Sequence, residues 1–194
     1  LLRHIKGDKS NKRIQSISEE LVFADATLKI HFQQHHLCHA AGAFFLSPYD
    51  QAAILTIDAY GDDTTSEFFV GEGNTIRSIG KTHYPQSLGQ IYAGVTQYLG
   101  YSANADEWKV MGLAPYGKLE YYDFFEKIMK FDHASGTLKF DLDYFMFYVW
   151  HPRRYSDKFV AALGPERSAD EELSPRHINI AASFQRRVED IVLD

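Results

Sequence analysis

Three histidines in five residues, His35, His36 and His39, stand upstream of a carboxylate, Asp58, that closes an apolar run. His35 and His39 are four apart, so on a helix they lie one turn apart on the same face. Two imidazoles aligned in this way and a carboxylate from a strand end make a three-ligand set for a divalent metal, with positions left open for water or substrate. The competing reading is a polar helix start, since HxxxH without the glutamate of HExxH is not specific. His36 falls on the neighbouring face, and Cys38 is expected to be a small buried residue. A second candidate is DAYGDDTTSE, residues 58–67. Acid, glycine, acid and then hydroxyls is how a tight turn can offer backbone N–H groups and hydroxyls to a phosphate, and a solvated acidic turn is the alternative. A third is DEWKVMGLAPYG, where Lys109 beside Glu107 and two glycines could set a cation against an anionic ligand.

These residues need elements to hold them. Residues 1–16 read as a basic, polar loop, and Ser16 or Ser18 ahead of Glu19 and Glu20 reads as a capping box. A short strand over Leu28–Phe32 then delivers the chain to His35. HHLCHAAGAFFLS is helical by composition and is stopped by Ser47-Pro48. AAILTIDA predicts a strand covered on both faces, ending on Asp58 in a turn of Ala59, Tyr60, Gly61 and Asp62. TSEFFVGEG and TIRSIGKTHY predict two further strands joined at Glu72-Gly73-Asn74.

From Ser87 the period becomes helical, with Leu88, Ile91, Tyr92, Val95, Tyr98 and Leu99 in one stripe and Gly100 as the cap. LEYYDFFEKIMKF predicts another amphipathic helix, TLKFDLDYFMFY a short strand pair, and YSDKFVAALG a brief helix. The segment 165–175 reads as an exposed charged loop. The closing helix buries Ile178, Ala181, Ala182, Phe184, Val188, Ile191 and Val192. Covered strands alternating with helices give an α/β or mixed class, and no GxGxxG or Walker A loop is present.

The 194 residues suffice for one cored domain or a large piece of one. A formal charge of -6 leaves no basic footprint for nucleic acid or anionic membrane. A single cysteine precludes an internal disulfide and suits the cytoplasm. No apolar run approaches the roughly 18 residues that span a bilayer. The opening LLRHIKGDKSNKR and the unfinished helix at the end point to a piece of a longer enzyme. Nothing in the chain indicates an oligomeric state.

HHLCHAAGAFFLSPYDQAAILTIDAYGDDTT, SLGQIYAGVTQYLGY and EWKVMGLAPYG, in this order and spacing, resemble the NodU/CmcH carbamoyltransferase family from about His35 to Gly117. NIAASFQRRVEDIVL resembles a further helix of that family, whereas the first 30 residues and 120–175 match loosely. The resemblance implies an ASKHA fold, the actin/hexokinase-like architecture built on a ribonuclease H-like motif. Residues 1–194 would form part of its N-terminal domain, without the C-terminal YrdC-like domain. It also implies an ATP-dependent transfer of a carbamoyl group from carbamoyl phosphate, through carbamoyl-adenylate, to a hydroxyl of a small-molecule acceptor.

By the same resemblance His35, His39 and Asp58 would bind a divalent metal, iron being the family's choice. Gly61, Asp62 and Lys109 would lie near nucleotide phosphates. His36 is the candidate base for the acceptor's hydroxyl, by proximity. The family's opening Gly-His-Asp hairpin and a later metal-binding aspartate have no counterpart in these residues, and Ala59 replaces a customary glycine. Two rivals remain at this stage: a sugar-kinase-like or phosphohydrolase enzyme on the same fold, and a non-catalytic binding domain.

Overall fold

The computed structural model describes residues 16–22, 27–149 and 151–193. The loop expected over the first residues lies outside these, apart from its final residue. A two-stranded antiparallel ribbon comes first, β1 (Ser16–Val22) against β2 (Thr27–Gln33), with Ser16 opposite Gln33. The capping box expected at Ser16–Glu20 is therefore part of a strand. Ladder pairing with β2 overrides the local helix signal there. The strand expected at Leu28–Phe32 is β2.

Helix α1 (His35–Phe44) follows directly and ends short of Ser47-Pro48, its last turn closed by the Phe45 N–H to Ala41 O. Its buried line is His36, Ala40 and Phe44, spaced at four residues. That line packs on a three-stranded antiparallel sheet of order β3-β4-β5, made of β3 (Gln51–Gly61), β4 (Thr64–Glu72) and β5 (Thr75–His83). Ala40, Phe44, Ile54 and Phe69 form the small core between them. Gly71 permits this contact, because a Cβ there would stand 2.7 Å from the Phe44 ring. Gly73, at φ +55°, makes the β4–β5 turn where it was expected.

β3 corrects the expectation of a strand covered on both faces. Ile54 and Thr56 are buried under α1, while Leu55 (36 % exposed) and Ile57 (38 %) face outward. Among the described residues β3 pairs only with β4, so it is an edge strand. It also runs past Asp58 to Gly61, with a break in register between Ile57 and Gly61, so the turn is Asp62-Asp63.

The larger core is helical. It gathers α2 (Leu88–Tyr98), α3 (Glu107–Leu113), α4 (Tyr122–Ile128), α5 (Asp157–Leu163) and α6 (Pro175–Leu193) around Tyr98, Phe125, Phe159 and Phe184, all fully buried. The helix expected through IMKF stops at Ile128, because Met129–Asp132 (β6) pairs with Thr137–Phe140 (β7). Only TLKF of the expected strand pair is a strand, and its partner lies upstream. In α6 the buried face is turned slightly from the predicted one: Ile180 is fully buried and Val192 is 41 % exposed. No helix among the described residues is long and apolar enough to cross a membrane.

Candidate metal centre and adjoining cavity

α1 and the end of β3 bring the two spaced histidines and the strand-end aspartate together. His35 Nε2 lies 2.8 Å from Asp58 Oδ2 and 3.0 Å from His39 Nε2, and His39 Nε2 lies 3.5 Å from the same carboxylate oxygen. Ligands bound at about 2.1 Å to one ion stand about 3.0 Å apart on an octahedral edge and about 3.4 Å apart on a tetrahedral one. The three separations have this size, and the donor set of two imidazoles and one carboxylate suits a divalent transition metal. The residues present therefore fit a metal. All three side chains are partly open to solvent, which keeps one side of the group accessible.

The break in register at Ile57/Gly61 frees Asp58 from the ladder and turns its side chain towards the helix. Burial pushes the Asp58 carboxyl up, but the hydrogen bond from His35, the Ala59 N–H at 2.7 Å and the charges of His35 and His39 outweigh it. The net result holds the group below the usual carboxylate range. Asp58 is thus an anion at neutral pH, as a metal ligand must be.

Gly61 and Asp62, expected beside nucleotide phosphates, both act on His35. A Cβ at Gly61 would lie 2.0 Å from the His35 ring, so the ring occupies the space a side chain would need. Asp62, at φ +57°, accepts the His35 backbone N–H at 3.1 Å and so caps α1 from outside the helix, where Gln34 provides no side-chain cap. The hydroxyls that follow lie inside the fold. Thr64, Thr65 and Ser66 are buried, and Thr65 donates to the carbonyls of Thr82 and Gln86. Thr64 donates to the Asp63 carboxylate at 3.2 Å, and the buried Ser66 hydroxyl has no hydrogen-bond partner among the described residues.

His36, the expected base, is fully buried. Its Nε2 donates to Thr64 O at 3.0 Å, and its Nδ1 lies 2.8 Å from Thr56 Oγ1, which in turn reaches Glu67 O. Both ring nitrogens are engaged, so His36 pins α1 to the sheet and has none left for an acceptor's hydroxyl. Glu67 is buried opposite Thr56 and paired with Lys81 Nζ at 2.8 Å, which continues this polar layer beneath the metal ligands. Lys109 is not drawn into the group: its contacts are Asp106 at 2.9 Å and the rings of Tyr101 and Trp108. Cys38 is exposed, because it lies off the His36–Ala40–Phe44 line.

Beyond Asp62 opens a cavity of about 620 Å³. Its apolar wall is a chain of rings, Tyr60 on Tyr84 (5.8 Å between centroids) and Tyr84 on Phe147 (6.3 Å). Arg154 and Gln90 line it too, as does His83, whose Nδ1 stands 3.3 Å from Asp63 Oδ2. Burial and the neighbouring Tyr60 raise the Tyr84 hydroxyl's pKa, so it stays neutral. None of Tyr84, Phe147, Arg154 or Gln90 was legible as a site residue, since they lie far apart in sequence and carry no spacing motif. α2 joins the two halves of the site. Its cap Ser87 donates to Ala59 O at 2.6 Å, and Gly89 comes so close that a Cβ would stand 2.8 Å from Ala59 N.

With this geometry in hand, the comparisons with known proteins are specific. Residues 11–194 match the family described as Carbamoyltransferase N-terminus. An uncharacterized protein of Synechocystis is 38% identical over 165 residues, covering 84% of this chain and 26% of that protein. Nodulation protein NolNO of Sinorhizobium fredii is 43% identical over 165 residues, covering 84% and 22%. Nodulation protein NolO of Bradyrhizobium diazoefficiens is 30% identical over 159 residues, covering 81% and 27%. The chain spans about a quarter of the length of these relatives.

Proposed function

The chain belongs to the carbamoyltransferase N-terminus family, and from that premise we propose that it forms part of an ATP-dependent O-carbamoyltransferase. The group moved is a carbamoyl, taken from carbamoyl phosphate through carbamoyl-adenylate and delivered to a hydroxyl of a small-molecule acceptor. The observation that carries the reading is the convergence of His35, His39 and Asp58 on one point beside a cavity of ligand size. In this reading the chain is a portion of an ASKHA-type N-terminal domain, to which the β3-β4-β5 meander followed by α2 conforms. The exposed thiol of Cys38 suits work in a reducing cytoplasm.

His35, His39 and Asp58 would hold a divalent cation, Fe2+ by the family resemblance. Bound there, such an ion supplies a Lewis acid for a phosphoryl or carbonyl oxygen. The chain's own residues do the positioning. Gly61 and Asp62 fix the His35 ring, the buried His36–Thr56 pair fixes the helix that carries both histidines, and the ring wall of the cavity seats the ligand. His83, facing the cavity with Asp63 behind it, takes the acceptor's hydroxyl proton. Asp62 lines the ligand cavity, and Lys109 lies outside its lining.

The test uses the full-length protein with ATP, carbamoyl phosphate and a panel of hydroxylated acceptors. ATP consumption should require carbamoyl phosphate, and His39→Ala should stop transfer to acceptor while carbamoyl-adenylate still forms. ATP hydrolysis indifferent to carbamoyl phosphate would sink the reading.

A further inference from the structure

Two adjacent arginines differ in a way that the fold itself imposes. Arg153 is neutralised: it pairs with Asp157 and Glu166 and lies over the Tyr155 ring. Arg154 forms no ion pair with any carboxylate among the described residues. It is nevertheless held firmly. Gln97 of α2 accepts the Arg154 backbone N–H at 2.8 Å and donates to Pro152 O at 3.0 Å. Gln90, two turns earlier on the same helix and itself buried, accepts from Arg154 Nη1 at 2.5 Å. Among the described residues these bonds leave Nε and Nη2 of the guanidinium without a partner, and the side chain lines the cavity that opens beyond Asp62.

A cation usually meets an anion or bulk water. Arg154 has a neutral amide behind it and, in front of it, a cavity lined by the rings of Tyr60, Tyr84 and Phe147 and, on the side of the β3–β4 turn, by Asp62, Asp63 and His83, none of which pairs with it. A guanidinium with two donors free presents the fork that binds phosphate oxygens, and its fixed posture removes most of the entropy cost of doing so. The cavity volume suits a ligand of nucleotide size. We propose that Arg154, aimed by Gln90 and Gln97, is the phosphate-binding residue of this cavity, and that the ligand's ring packs against Tyr60, Tyr84 and Phe147.

The recognised chemistry is a phosphate ester. It can belong to the carbamoyl donor or to a phosphorylated acceptor, and only this choice rests on the carbamoyl-transfer reading; the anion site does not. The test measures binding of AMP, adenosine, glucose 6-phosphate and glucose to full-length protein by calorimetry. One of the two phosphate esters should bind at least about tenfold tighter than its phosphate-free partner. Arg154→Gln should erase that difference and leave the phosphate-free probe and the bound metal content unchanged. Arg154→Lys should recover part of the difference, and Gln90→Met, which frees the guanidinium from its anchor, should weaken it.

AMP preference assigns the site to the donor, and glucose 6-phosphate preference assigns it to the acceptor. Equal binding of esters and parents by the wild type overturns the proposal. So does an Arg154→Gln protein that keeps the phosphate preference. Should Arg154→Gln fail to fold, an unaltered phosphate preference in Gln90→Met overturns it instead. A protein without bound metal that still shows the Arg154-dependent preference would refute the metal reading and leave this one standing.

Discussion

Gly61 is the residue on which the proposed metal centre turns. Its backbone is not in the left-handed region, so alanine is conformationally acceptable, and the obstacle is the His35 ring 2.0 Å from the Cβ position. His35 Cβ would stand 2.7 Å away as well, so Gly61→Ala should push the start of α1 off β3 and displace one proposed ligand while the secondary structure persists. Metal affinity should fall by on the order of 10- to 100-fold, the scale for disturbing a ligand's support, with an unchanged far-ultraviolet circular dichroism spectrum. Full metal occupancy in Gly61→Ala at limiting metal would count against His35 as a ligand. His36 teaches the complementary lesson. It stands next to a proposed metal ligand in sequence, yet successive helix positions diverge by about 100°, and that rotation carries it into the sheet.

Among the elements, α6 carries a titratable group whose environment has a clear sign. His177 is buried in its first turn, and its Nε2 lies 2.8 Å from Arg176 Nη2. Burial, then the positive charge of Arg176, lowers its pKa below the ordinary histidine value. A depressed folded pKa means the unfolded chain takes up a proton that the folded chain refuses. The contribution is complete above about pH 6.5, the unfolded value, and is lost as pH falls through the folded one. Urea unfolding between pH 5 and 8 should show stability declining on the acid side, and His177→Asn should flatten that decline. Parallel curves for the two proteins would refute the assignment.

At the scale of the whole molecule, the feature that most affects behaviour is the open edge of β3. Among the described residues its outer side pairs with nothing, and Leu55 and Ile57 are exposed beside it. Such an edge is a template for pairing between chains. The 194-residue chain should self-associate as its concentration rises, and Leu55→Lys should reduce this in light scattering. The thermal midpoint should move by no more than a few degrees, because the lysine stem can lie along Phe68, opposite Leu55 in the register. Undiminished association in Leu55→Lys would place the sticky surface elsewhere.

What the sequence determined is what local spacing can encode. The i, i+4 separation of His35 and His39, the strands β4 and β5, the glycine turn at Gly73 and the stripe of α2 each need only neighbouring residues to be read. With Asp58 the two histidines form the candidate ligand set that the structure brings within reach of one point. The strand at Ser16–Val22, the one-sided burial of β3, the bulge that turns Asp58 and the burial of His36 and of the Thr64–Thr65 hydroxyls were decided by tertiary structure. Each depends on which partner a segment meets, and pairing or burial against that partner overrules local preference. The cavity is the extreme case. Tyr60, Tyr84, Gln90, Phe147 and Arg154 come from separate stretches of chain, and only the packing of α2 against both the end of β3 and the 152–154 segment brings them around one space.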